Sequence, residues 1–336
     1  MSAVRRRTGT VVVVPLALSL ALAGCSTTSE TDPAAAPSSA GGEGSTEVDT
    51  ILFDFPFTSL PIYAVLSQQL ADYAAEQGVT VEFTNDNSDL STQVSNLTTY
   101  LNSDVDAVVS FPMDPASVES IAEQYVDAGK YWVTYAGDME NQSSTLQFSF
   151  EESGRMLAED AAQWAADNLD GAPKVLVLED QLTQIGQERT RGIVEGLAEA
   201  APDAEIVAQQ QAVTPQDALT VTNSVLAANP DVDIVLAAVG DAAQGAYQAL
   251  VSSGRAADDP ETYVGGLDGN LSLFQEMQAG NIVRGVVTVK SEDIVQATID
   301  IPLALGRGEE PDTDVPVYLV TPDSPDLQEY ITAFGG

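Results

Sequence analysis

The chain of 336 residues has no histidine and a single cysteine, Cys25. Without histidine there is no Ser-His-Asp triad, no His-ligated metal centre and no imidazole general base. With one cysteine there is no internal disulfide. Basic residues are scarce, twelve Lys and Arg against 51 Asp and Glu, for a net charge of −39. Such a surface repels nucleic acid and anionic lipid headgroups, so no nucleic-acid partner is expected. Several signatures are missing as well. There is no G-x-x-x-x-G-K-[ST], no G-x-G-x-x-G after a strand and no G-x-S-x-G elbow. Paired carboxylates of the kind a glycosidase uses exist, but with so many acids chance pairs are easy. Asn85-Asp86-Asn87-Ser88-Asp89 is faintly like a calcium loop; it lacks the glycine at the sixth position and a well-placed final glutamate, and reads as a helix entry. No catalytic activity, cofactor or metal is expected.

What is present begins with Arg5-Arg6-Arg7 and an apolar run from Val11 to Ala23, broken only by Pro15 and Ser19. The run is too short to span a bilayer comfortably and fits the hydrophobic part of an export signal. Leu22-Ala23-Gly24-Cys25 places small residues before a cysteine that lipid can modify, and this pattern resembles a bacterial lipobox. The expectation is a signal peptide over 1–24, lipidation of Cys25 and an extracytoplasmic protein held to the cell membrane. Its plainer alternative is an ordinary export signal with a chance cysteine. After Cys25, residues 26–47 are Ser, Thr, Pro, Ala, Gly, Glu and one Asp, with almost nothing to bury, and 25–47 reads as a disordered tether. Removing the signal leaves nine basic residues, so the mature chain is more acidic still, near −42.

From Val48 the pattern changes to short apolar runs alternating with helical periodicity. Thr50–Phe55, Val79–Thr84, Ala107–Phe111 and Tyr131–Tyr135 read as strands, and Pro61 and Pro115 open helices that Gly78 and Gly129 close. The alternation resumes after Leu146–Phe150 with strands at Val175–Leu178, Glu205–Gln209, Ile234–Val239, Tyr263–Leu267 and Ile282–Val289. A last helix spans Ser291 to Leu305, and Val315–Val320 reads as one late strand. Nearly all-apolar strands between helices argue for parallel sheets covered on both faces. There is too much alternation for one sheet, so the expected fold is α/β with two doubly wound parallel-sheet lobes. In such lobes ligands bind beyond the carboxyl ends of the strands.

Those ends carry Pro56, Phe57 and Tyr63; Phe111 and Asp114; Ala136, Gly137 and Asp138; Asp180 to Gln187; Gly240 and Asp241; Asp268; and Lys290. Aromatic faces stack on sugar rings, bases or organic cations, and carboxylates accept from hydroxyls or amines. Each has a plainer reading. Tyr63 and Phe111 fit lobe core equally well, Asp114 fits a helix cap, and Asp241 fits a helix start.

In order along the chain, these motifs resemble the type I periplasmic binding proteins, the ribose-binding-protein-like group that serves ABC importers. The likeness runs from Val48 to the C-terminus. It rests on the first strand followed by Pro61 and Tyr63, on Phe111-Pro112-Met113-Asp114-Pro115, on Glu151-Glu152-Ser153-Gly154-Arg155, on Arg189-Thr190-Arg191-Gly192-Ile193, and on Val264-Gly265-Gly266-Leu267-Asp268-Gly269. The resemblance implies a three-stranded hinge near Ser149, Val289 and Pro316. It implies an N-terminal lobe of 48–149 plus 290–316 and a C-terminal lobe of 150–289 plus 317–336. Ligand would bind in the cleft at Phe57, Tyr63, Phe111, Asp138, Gln187, Asp241, Asp268 and Lys290, with Asp268 holding ligand hydroxyls.

The departures fall in the cleft. The family's polar pair after the fourth strand is Ala136-Gly137, its Asn-Asp pair is Val239-Gly240, a cleft arginine falls on Gln187, and an amide near the last crossing falls on Val289. The cleft is therefore expected to be unusually apolar, with Asp268 as its main polar anchor. The expected function is capture of a small polar ligand, most simply a sugar or a sugar-like molecule, and delivery to an ABC permease. Two alternatives stand beside it: a sensor presenting an amine, nucleoside or other signal to a membrane partner, and a surface carbohydrate-active enzyme.

Overall fold

The computed structural model describes residues 47–59 and 61–336. The expected export signal, Cys25 and nearly all of the expected tether lie outside the described residues. Among the described residues no helix is long and apolar enough to cross a membrane.

The chain first lays down β1 (Thr50–Asp54), α1 (Pro61–Gln77), β2 (Thr80–Phe83), α2 (Leu90–Tyr100), β3 (Ala107–Ser110), α3 (Pro115–Asp127), β4 (Tyr131–Tyr135) and β5 (Ser144–Phe148). It crosses into α4 (Phe150–Asn168), β6 (Lys174–Glu179), α5 (Gln184–Ala200), β7 (Glu205–Gln211), α6 (Pro215–Ala228), β8 (Ile234–Ala237), α7 (Gly240–Ser252), β9 (Tyr263–Leu267), α8 (Leu271–Gln278) and β10 (Val283–Thr288). It returns through α9 (Ser291–Gly306) and β11 (Asp314–Val315), then ends with β12 (Tyr318–Val320) and α10 (Leu327–Ala333).

Two six-stranded sheets result, ordered β11-β5-β4-β3-β1-β2 and β12-β10-β9-β8-β6-β7. All pairs are parallel except β10 with β12. The central strands β3, β8 and β9 are buried along their whole length, as all-apolar strands covered on both faces must be. Helix α9 packs on α1, β1, β4 and β5, so the returning segment completes the first core around Phe53, Leu66, Ile294 and Ile299.

One expectation needs correcting. Val315–Val320 is not one strand: β11 joins the first sheet beside β5, and β12 joins the second, antiparallel to β10. Pro316, lying between them, has no N–H to donate to either ladder, so the chain changes sheets there. The two sheets are thus linked at three places, after β5, after β10 and between β11 and β12. The short α10, which packs on α8, carries too brief an apolar pattern to be read beforehand.

In each sheet the strand order reverses beside the first strand laid down, between β1 and β3 and between β6 and β8. These reversals open the crevices in which doubly wound sheets bind ligands.

Candidate functional site

At the first reversal the chain leaving β1 delivers Phe55 and Phe57, and the chain leaving β3 delivers Phe111. Phe55 is 7% exposed and sits at the centre of the cluster. Its ring centroid lies 5.7 Å from Phe111, 5.7 Å from Tyr135, 5.8 Å from Phe57 and 6.2 Å from Tyr63, the last pair stacked. Phe57 and Phe111 meet edge to face at 5.5 Å and remain half-buried. Tyr63 is anchored by its hydroxyl, which donates to the Thr84 carbonyl at 3.3 Å. Three of the aromatic residues expected from the sequence are thus brought together, with Phe55 and Tyr135 beneath them.

The aromatic run continues toward the other lobe. Tyr135 lies 5.2 Å from Phe148, and Phe148 stacks on Phe150 at 5.7 Å across the first crossing. The Arg189 guanidinium lies 5.1 Å over the Phe150 ring. Burial, and then the negative charge of Asp268, raise the Tyr135 phenol above its ordinary value, so it stays protonated and keeps a donor.

Arg189 is the residue the sequence reading missed. Its Nη1 is 2.5 Å from Asp268 Oδ2 and its Nη2 2.6 Å from Asp268 Oδ1, a two-pronged ion pair. The arginine side chain is 11% exposed and the aspartate 54%, so the carboxylate fronts open space with the guanidinium behind it. Arg189 Nε is buried and has no hydrogen-bond partner among the described residues. Gln187, expected to face the cleft, is exposed and donates to the Gln181 carbonyl at 3.1 Å. The reason is helical geometry: two residues along α5 is a rotation of about 200°, to the opposite face.

Helix α5 is set by close contact with α4. A Cβ on Gly192 would lie 1.9 Å from the Glu151 carbonyl oxygen, and one on Gly154 would lie 2.2 Å from that of Arg189. Only glycines permit this approach, which fixes Arg189 relative to the start of α4 at the first crossing.

Asp268 follows β9 with φ of 55°, a left-handed backbone that is unusual for a residue other than glycine. It does not cap α8; Asn270 does, accepting from the Leu273 N–H at 3.0 Å. Asn270 Nδ2 also donates to Asp241 Oδ1 at 3.1 Å, so Asp241, at the start of α7, and Asn270 form a second polar pair at the same end of the sheet. Asp268, expected as the main polar anchor of an unusually apolar cleft, is thus paired with Arg189 and shares its end of the sheet with the polar Asp241–Asn270 pair.

Two other expected contacts are committed elsewhere. Lys290 is 3.1 Å from Asp326 and 4.7 Å over the Tyr318 ring, so it ties the second crossing to the C-terminal segment. The hydrogen bond to Asp326 holds its ammonium pKa above the ordinary lysine value. Asp138 is exposed in the loop after β4 and accepts from Gln142 Nε2 at 3.2 Å. Asp114 stands at the N-cap of α3, yet its carboxylate accepts from the Ser117 hydroxyl and not from a helix N–H.

The family model described as the periplasmic binding protein domain matches residues 51–310. The chain belongs to this family. Among curated periplasmic binding proteins and their relatives, it is 24% identical to the ABC transporter periplasmic-binding protein YphF of Escherichia coli, over 70% of this chain and 73% of that one. It is 26% identical to the xylitol-binding protein of Mycolicibacterium smegmatis, over 76% of this chain and 72% of that one. The crystal structure of a periplasmic ribose ABC transporter protein from Conexibacter woesei superposes with a TM-score of 0.74 at 20% identity, covering 87% of this chain and 97% of that one. These relatives of the periplasmic binding protein family are solute-binding proteins and not enzymes, and membership implies an extracytoplasmic location.

Proposed function

We propose that the protein captures a neutral, polyhydroxylated small molecule, a sugar or polyol, in the cleft between its lobes and delivers it to an ABC permease. The Arg189–Asp268 pair carries this reading. A ligand amine seeks a free carboxylate and a ligand acid seeks a free guanidinium, and here each charge already neutralises the other. What the pair still offers is carboxylate lone pairs toward open space, the pattern that receives hydroxyl groups. At the end of the first sheet, the half-buried Phe57 and Phe111 rings supply apolar surface for the C–H face of a ring or chain. The names of the relatives, one xylitol-binding and one ribose-transporting, point the same way. In this reading Cys25 carries lipid, residues 25–47 hold the folded part off the membrane, and the lobes close about the three linking segments.

The test is a thermal-shift screen followed by calorimetric titration, using D-ribose, xylitol, other pentoses and polyols, amines and amino acids. A true ligand at 100 times its Kd adds about 2.7 kcal/mol of stability. A polyol or sugar is the expected hit; saturable binding confined to amines or amino acids overturns the reading.

A further inference from the structure

Beneath the first-lobe aromatic wall lie two carboxyl groups that ligand contact does not explain. Asp54, the last residue of β1, and Asp86, just after β2, are both 0% exposed. They are hydrogen-bonding neighbours. Thr84 Oγ1 stands between them, 2.8 Å from Asp54 Oδ1 and 3.4 Å from Asp86 Oδ2, and its one proton serves only one of them.

Among the described residues no cation balances this pair. Of the nine basic residues beyond Arg7, Arg155, Lys174, Arg189, Arg191, Lys290 and Arg307 are engaged in ion pairs with other acids. Lys130, Arg255 and Arg284 are held on backbone carbonyls. The remaining titratable groups facing the pair are the phenols of Tyr63 on α1, raised by burial and then by Asp86 and Asp54, and of Tyr125 on α3, raised by burial and then by Asp54. Two adjacent ionised carboxylates in a dry site without a cation are strongly disfavoured, so the pair keeps a proton.

The pair also stands where three ligand loops converge. Asp54 Oδ2 accepts from Ser110 Oγ at 2.6 Å and from Gln93 Nε2 at 2.8 Å. The buried Gln93 side chain donates on to the Phe111 carbonyl at 2.8 Å and accepts from the Met113 N–H at 3.0 Å. Beside Asp86, the Ser88 N–H donates to the Pro56 carbonyl at 3.0 Å, tying the β2 loop to the loop that carries Phe57. Ser88 and Asn87 hold left-handed backbone, with φ of 56° and 50°. In the second lobe the buried Asp180, just after β6, accepts from the Leu182 N–H and the Thr183 hydroxyl and so braces its own loop.

We propose that Asp54 and Asp86, sharing one proton, position the aromatic side of the ligand cleft, and that losing this proton loosens the loops carrying Phe57 and Phe111. The consequence for ligand rests on the cleft reading above; the device itself does not. Burial, and then the charge of Asp86, push the Asp54 carboxyl up to about 8. Between the ordinary carboxylate range and that value the native pair holds a proton that the opened loops release. Opening therefore becomes easier as pH rises and levels off above about 8.

The test is hydrogen exchange of the Met113 and Ser88 amides in the ligand-free protein from pH 6 to 9.5, corrected for intrinsic rates, for wild type and Asp86→Asn. The side-chain amide introduced by the substitution supplies a permanent N–H toward Asp54 and keeps the acceptor for Asn96. Wild-type protection is expected to fall by up to about tenfold per pH unit and level off near the pair's midpoint. In the variant the fall is expected to be much shallower. Flat wild-type protection, or an identical fall in the variant, overturns the proposal. Carbon-13 carboxyl titration of the wild type gives a check that needs no variant: both carboxyls ionised at pH 7 also overturns it. A failed sugar screen leaves these measurements untouched, so the two readings fail separately.

Discussion

Asp268→Asn is the sharpest probe of the cleft. Asparagine nearly matches aspartate in shape and is among the few residues that tolerate a φ of 55°, so the change alters charge and not backbone. The substituted side chain keeps one acceptor for the Arg189 guanidinium but turns an NH2 toward the other prong, which lies 2.5–2.6 Å from the present oxygens. Arg189 is 11% exposed and loses its counter-ion, while the aspartate side is 54% open to water, which takes over part of the lost interaction. The stability cost is therefore about 1–2 kcal/mol, above that of a surface pair and below that of a fully buried one. Binding suffers more directly. Loss of a charged acceptor for a ligand hydroxyl costs about 1.5–3 kcal/mol, or roughly tenfold to a hundredfold in Kd. Calorimetric titration with the best ligand of the screen, and melts of the empty protein, measure the two separately. Unchanged affinity accompanied by lost stability would show that the ion pair braces the second lobe without touching ligand, and would refute the site.

Three other expectations follow from particular contacts. Gln187→Ala should leave affinity within about twofold of wild type, because Gln187 points away from Asp268 on α5; a large loss in the same titration would restore it to the cleft. Gly192→Ala places a Cβ against the Glu151 carbonyl, so α5 must move off α4; the melt should report about 1–3 kcal/mol of destabilisation, with weakened binding because Arg189 moves too. On the proposed lipidation of Cys25, Cys25→Ser should release the protein from membranes into the soluble fraction with an unchanged circular dichroism spectrum, since position 25 lies outside the described fold; continued membrane association would remove the lipid anchor from the account.

What was legible in the sequence, and what was not, divides along a physical line. The two sheets were readable because a covered parallel strand must be apolar on both faces. Ala107-Val108-Val109-Ser110 and Ile234-Val235-Leu236-Ala237 announce themselves as runs, and both are fully buried. The aromatic wall was readable for a related reason: strand ends at a sheet reversal are fixed by topology, and Phe57, Tyr63 and Phe111 stand there in the one-dimensional order. Polar partners were not readable. Arg189 and Asp268 are 79 residues apart and meet through packing that glycines on α4 and α5 permit. The family resemblance placed a cleft arginine position on Gln187, while the arginine that meets Asp268 stands two residues on, about 200° round the helix. The same limit applied to Asp54. In the sequence it is one acid inside the apolar strand Thr50–Phe55, and nothing there names its partner. Only the fold sets it beside Asp86, which lies 32 positions on in the chain, and away from every basic side chain among the described residues. In a protein with so few cations, where each Lys and Arg goes is a strong constraint. Assigning all nine leaves the fully buried Asp54 and Asp86 without a cation among the described residues, which is the ground of the shared proton proposed above.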